Sequence, residues 1–124
     1  MVERDKFTRK SIGFAIEVHR KLGPGLLESA YQQCLAHELK LNHAAFRLEH
    51  PLPVEYKGLQ LDCGYRIDML IEDRLIVELK SVEAFKPIHE AQLLTYMKLA
   101  KIDTGLLINF NVRMLKDGIK RFRI

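Results

Sequence analysis

The chain has 124 residues, 48% of them apolar and 29% charged, with 20 Lys and Arg against 16 Asp and Glu and a formal net charge of +4. That balance excludes a disordered or fibrous chain, and the length accommodates one domain, residues 1–124, around one core. No apolar run reaches the roughly 20 residues of a membrane span, the charged opening Met1-Val2-Glu3-Arg4-Asp5-Lys6 is no secretory signal, and Cys34 and Cys63 lack a CxxC spacing, so the expectation is a cytoplasmic protein without a zinc knuckle or disulfide framework.

A first helix is expected over about Asp5–Leu22. Phe7, Phe14, Val18 and Leu22 mark its stripe, and Ile12, Ala15, Ile16 and His19 widen it. Gly23-Pro24-Gly25 stops it. A second helix follows over about Leu26–Leu41, set by Leu27, Ala30, Tyr31, Cys34, Leu35, Glu38 and Leu39, and so short a break predicts an αα-hairpin. Phe46 to Tyr56 reads as an edge or irregular strand because of Pro51 and Pro53. Leu61–Ile71 and Arg74–Lys80 then form a hairpin about a polar turn at Glu72-Asp73. Pro87 introduces a third helix, Ile88–Ala100, before a buried strand at Thr104–Phe110. Asp117-Gly118 signals a turn into a last strand, Ile119–Ile124. A helix between strands favours a parallel crossover, so the class is α/β: a mixed sheet with helices packed on it.

The chemistry concentrates in the central hairpin. Period two places Ile76, Glu78 and Lys80 on one side of their strand, and the turn brings Asp68 nearly opposite Glu78. Two facing carboxylates repel unless something positive lies between them. One reading is an ion pair of Lys80 with Glu78 or Asp68. The other is a hard-cation site, in which two carboxylates hold Mg²⁺ or Mn²⁺ and Lys80 supplies a positive donor beside the reacting centre. No GxSxG or local Cys–His signature supports a covalent nucleophile.

Asp68, followed after nine residues by Glu78-Leu79-Lys80, resembles the D…ExK signature of the PD-(D/E)xK nuclease superfamily. Gly25-Leu26-Leu27-Glu28-Ser29-Ala30-Tyr31 is similar to the pattern that names the GxxExxY proteins, a small group within that superfamily. Further matching words are Ile16 to Gly25, Val77 to Glu83, His89 to Tyr96 and Leu106 to Asn111, so the resemblance spans about residues 7–124. It implies a restriction-endonuclease-like core with two N-terminal helices, a β-hairpin, a crossover helix and C-terminal strands. It also implies a metal-dependent nuclease, with Glu28, Asp68 and Glu78 as metal ligands, the Leu79 carbonyl as a further ligand candidate and Lys80 as the catalytic lysine. Gln92 and Tyr96 resemble the QxxxY helix of RecB-like and Cas4-like nucleases, which adds Gln92 to the catalytic set and Tyr96 to the substrate border. Tyr31 either orients Glu28 or packs in the core, and His19 and His89 are retained as neighbours of the site.

The implied partner is nucleic acid, DNA before RNA. A homodimer, a protein partner and a non-catalytic binding module on the same fold stay open. All of the +4 falls in residues 101–124, where six basic side chains meet Asp103 and Asp117. Lys116, Lys120, Arg121 and Arg123 are therefore candidates for phosphate-backbone contacts, or else a solvated basic surface.

Overall fold

The computed structural model describes residues 2–124, with side chains from Asp5 onward. Its elements in chain order are α1 (Val2–Leu22), α2 (Glu28–Leu41), β1 (Phe46–Pro51), β2 (Val54–Tyr56), β3 (Leu59–Leu61), β4 (Arg66–Ile71), β5 (Leu75–Lys80), α3 (Pro87–Ala100), β6 (Thr104–Asn109) and β7 (Ile119–Arg123), with a 3₁₀ turn at Leu115–Gly118. Five strands form one mixed sheet in the order β1-β4-β5-β6-β7. Only β5 and β6 run parallel in it, as the α3 crossover demands. This is the expected α/β class.

Helices cover both faces. Ala15 and Val18 of α1 and Tyr31, Leu35, Ala36 and Leu39 of α2 pack on Met69, Ile71, Val77, Leu79, Leu106 and Ile108. Leu93, Tyr96 and Met97 of α3 pack on the other face, over Leu70, Ile76 and Leu107. A strand enclosed on both sides has to be apolar throughout, and β6 is buried at every position. At Gly105 a Cβ would lie 2.7 Å from the Met97 sulfur, so the missing side chain lets α3 sit close on β6.

Several boundaries differ from the sequence expectation. The buried stripe of α1 is Thr8, Ser11, Ala15, Val18 and His19, while Leu22 and Ile16 stay 40% exposed. The second helix begins at Glu28 rather than Leu26, and Leu27, expected on its core face, is 77% exposed. Gly25, at φ +99°, and the extended backbone of Leu27 keep this segment out of the helix. The strand expected from Leu61 to Ile71 is interrupted at Gly64, whose φ of +81° and bond to the Asp62 carboxylate make a local turn. The segment Phe46–Tyr56 is indeed an edge strand, but it ends at Pro51, and Val54–Tyr56 pairs with Leu59–Leu61 as a separate hairpin.

Candidate metal and active site

The β4–β5 hairpin turns through Glu72, Asp73 and Arg74; Glu72 and Asp73 are left-handed (φ +54° and +53°), and the Arg74 N–H donates to the Ile71 carbonyl at 3.0 Å. The register pairs Ile71 with Leu75, Leu70 with Ile76 and Met69 with Val77, and there the ladder stops. The next rung, Asp68 opposite Glu78, is replaced by a reciprocal side-chain lock. The Asp68 N–H donates to Glu78 Oε2 at 2.9 Å, and the Leu79 N–H donates to Asp68 Oδ2 at 2.9 Å. Two carboxylates thus take the place of two carbonyls. One oxygen of each carries no hydrogen bond among the described residues.

Pairing also lapses on the other side of Asp68. β1 matches β4 at Leu48–Met69 and again at His50–Ile67, but skips Glu49–Asp68. Glu49 is left-handed, φ +50°, a rare conformation for glutamate inside a strand. Gln32 of α2 fills the gap, its amide donating to the Asp68 carbonyl at 2.9 Å and to Glu49 Oε2 at 2.8 Å. Both backbone groups of Asp68 are therefore satisfied by side chains. Gln32 and Glu49 escaped the sequence reading. Gln32 lies one helical turn after Glu28, which is the signal that could have found it.

Glu28, Gln32, Glu49, Asp68 and Leu79 line a common cavity of about 340 Å³. Glu28 enters it from the first turn of α2. The segment before it is clamped from two directions. The Tyr31 hydroxyl donates to the Gly23 carbonyl at 2.6 Å and accepts from the Leu26 N–H at 3.1 Å, while its ring stacks on Phe110 at 4.4 Å. The Ser81 hydroxyl, next after Lys80, donates to the Leu26 carbonyl at 2.7 Å. Tyr31 thus acts on the turn that carries Glu28, not on its carboxylate.

The electrostatics follow from enclosure. Burial, then the neighbouring Asp68 charge, pushes the Glu78 carboxyl up from 4.5 to about 8. Burial also raises Asp68, against the Leu79 N–H bond and the Lys80 charge, which lower it. Lys80 is half-buried and forms no ion pair with either carboxylate among the described residues. The purely structural ion-pair reading has no such contact to rest on. Gln92 donates to the Tyr96 hydroxyl at 3.1 Å, Tyr96 packs in one cluster with Ile67 and Ile76, and burial, then the Glu78 charge, pushes its hydroxyl up. Among the described residues no three His, Cys, Asp or Glu side chains already stand as a ready ligand cluster. Asp68 and Glu78 each commit one oxygen to the other's strand, and Glu28 is exposed.

The remaining candidates disperse. His19 is buried with Nε2 2.8 Å from the Val112 carbonyl, a packing role away from the cavity. His89 caps α3, its Nδ1 accepting the Lys86 N–H at 3.0 Å, and the Lys80 charge acts on it after burial to lower its pKa. The basic residues 116–123 do not form one patch. Lys120 pairs with Glu90 of α3 at 2.6 Å, Arg123 pairs with Asp5 of α1 at 3.0 Å, and strand alternation puts Arg121 on the side of Arg123. Lys116 lines a different cavity with His19, Arg20 and Arg113.

The family model described as the PD-(D/E)XK nuclease superfamily matches residues 5–122. The chain belongs to that superfamily. Neither the curated proteins nor the solved structures give a match to it.

Proposed function

We propose that the chain is a divalent-metal-dependent nuclease of the GxxExxY group, hydrolysing phosphodiester bonds in DNA in preference to RNA. The observation that carries this reading is the Asp68–Glu78 lock. It breaks a buried sheet to hold two facing carboxylates, each with one uncommitted oxygen, near a lysine that forms an ion pair with neither among the described residues. Buried anions of this kind are costly without a cation, and hard oxygen donors suit Mg²⁺ or Mn²⁺.

Asp68 and Glu78 are the residues to hold the ion, with Glu28 and the Leu79 carbonyl as further ligands; Glu28, Asp68 and Leu79 line the cavity. A bound divalent ion supplies Lewis acidity and lowers the pKa of a coordinated water. The Lys80 ammonium serves the charge that develops on the phosphoryl oxygens, a contribution of the kind worth about 10²–10³ in rate. Gln92 and Tyr96 border the reacting phosphate. Gln32 and Tyr31 fix the backbone from which the ligands project.

The test is cleavage of labelled single- and double-stranded DNA and of RNA in Mg²⁺, Mn²⁺ or EDTA, beside Asp68→Ala and Lys80→Ala. Cleavage that needs the metal and fails in both variants is expected. Absence of metal-dependent cleavage, or cleavage that survives both substitutions, removes the nuclease reading. Binding of nucleic acid in EDTA without cleavage in metal indicates a non-catalytic module.

A further inference from the structure

Beside the carboxylates lies a second, apolar cleft of about 380 Å³, between the β2–β3 hairpin and α3. Val54, Tyr65, Ile88 and Leu99 form its walls with Gln92 and Tyr96, and Tyr96 packs in one buried cluster with Ile67, the residue before Asp68, and Ile76, two residues before Glu78. We propose that this cleft receives one unpaired nucleobase of the strand whose phosphate reaches the Asp68–Glu78 pair. The inference rests on the nuclease reading and narrows its substrate to single strands, flaps or frayed ends.

Three observations carry it. Tyr65 is 45% exposed and Ile88 67% exposed, so the walls hold apolar surface toward water that a flat, apolar-faced ligand would cover. Tyr65 meets Tyr96 edge to face at 6.2 Å, which fixes its ring and leaves a face for stacking. Gln92 spends one N–H on Tyr96, and its carbonyl oxygen has no hydrogen bond among the described residues, so the amide is available to the polar edge of a base. A paired base presents neither its face nor that edge, and a base in a duplex reaches a recessed cleft only by leaving the stack. Continuity with Gln92 and Tyr96 favours substrate over a second copy of the chain, although Tyr56 and Leu59 of the same hairpin are also exposed.

The chain contains no tryptophan, so Tyr65→Trp installs a sole indole in the cleft wall. The probe is a thymidine homo-oligonucleotide titrated in EDTA, against a blunt duplex of the same length. Saturable quenching by the single strand and none by the duplex is expected. Tyr65→Ser is expected to weaken single-strand binding about tenfold, the scale of one lost stack, and Tyr65→Phe to retain it. Oligonucleotide binding without quenching, or affinity unchanged in Tyr65→Ser, overturns the proposal. So does a dimer that Tyr65→Ser converts to monomer with affinity unchanged, which assigns the cleft to a second copy. Because these readouts need no metal, quenching without cleavage in Mn²⁺ retains the subsite and removes only the nuclease reading. Cleavage without quenching removes only the subsite.

Discussion

Replacing Glu78 by Gln should change how stability depends on pH. Glu78 is 4% exposed, and its carboxyl is pushed from 4.5 to about 8 by burial and by Asp68. Between those two values the folded chain keeps a proton that the unfolded chain has released. Stability therefore falls as pH rises through the window and is level below it. At about 1.4 kcal/mol per unit, the window sets a ceiling of about 5 kcal/mol. Asp68 is raised as well, so the two carboxyls titrate as a pair and share that cost. Glu78→Gln keeps an oxygen to accept the Asp68 N–H and is expected to recover roughly half the ceiling, ~2 kcal/mol. The assay is urea unfolding in EDTA at about pH 5 and about pH 8.5. The variant should gain on the wild type as pH rises, and Mn²⁺ should restore the wild type by binding the charged pair. A difference that stays constant or shrinks across the window would show that the Glu78 carboxyl is not raised in the folded chain.

Other substitutions probe the supports. Tyr31→Phe keeps the stack on Phe110 but loses the bonds to Gly23 and Leu26, for an expected cost of ~1–2 kcal/mol in thermal unfolding and slower cleavage as Glu28 loses its anchor. Gln32→Ala leaves the Asp68 carbonyl and Glu49 without their amide partner. It should cost ~1–3 kcal/mol by urea unfolding and weaken Mn²⁺ affinity in calorimetry. Gly118→Ala drives a Cβ into the Asn109 backbone carbonyl, and its urea midpoint should fall by the equivalent of ~1–3 kcal/mol. Reversing Arg121 and Lys116 together should weaken oligonucleotide binding and flatten its salt dependence, read by anisotropy against added salt; unchanged affinity makes both solvated surface.

The hairpin register was readable because Glu72-Asp73 fixes its centre, and a centre fixes every facing pair, Asp68 and Glu78 included. What the sequence does not announce is how that pair is accommodated. A left-handed Glu49 in a strand breaks the usual residue preference, and Gln32 reaches β4 from a helix 36 residues earlier. The β2–β3 hairpin was missed because its turn is Lys57-Gly58, both left-handed, rather than the familiar Asn-Gly or Asp-Gly. Lys116, Lys120, Arg121 and Arg123 are neighbours along the sequence, but the fold spreads them over separate surfaces. Successive residues of a strand face opposite ways, so Lys120 and Arg121 lie on different sides of β7. Tyr31 marked the right segment for another reason, since its hydroxyl governs the turn before Glu28.

The proposed role of the Asp68–Glu78 pair and Lys80 is a cation-dependent centre for phosphodiester hydrolysis. The most direct measurement is the single-turnover cleavage rate of Lys80→Ala against the wild type at saturating Mn²⁺, with Mn²⁺ affinity measured on the same samples. Equal Mn²⁺ affinity with a rate lowered by about 10²-fold or more is the predicted result. Equal rates for the two proteins would remove Lys80 from catalysis and with it the proposed centre.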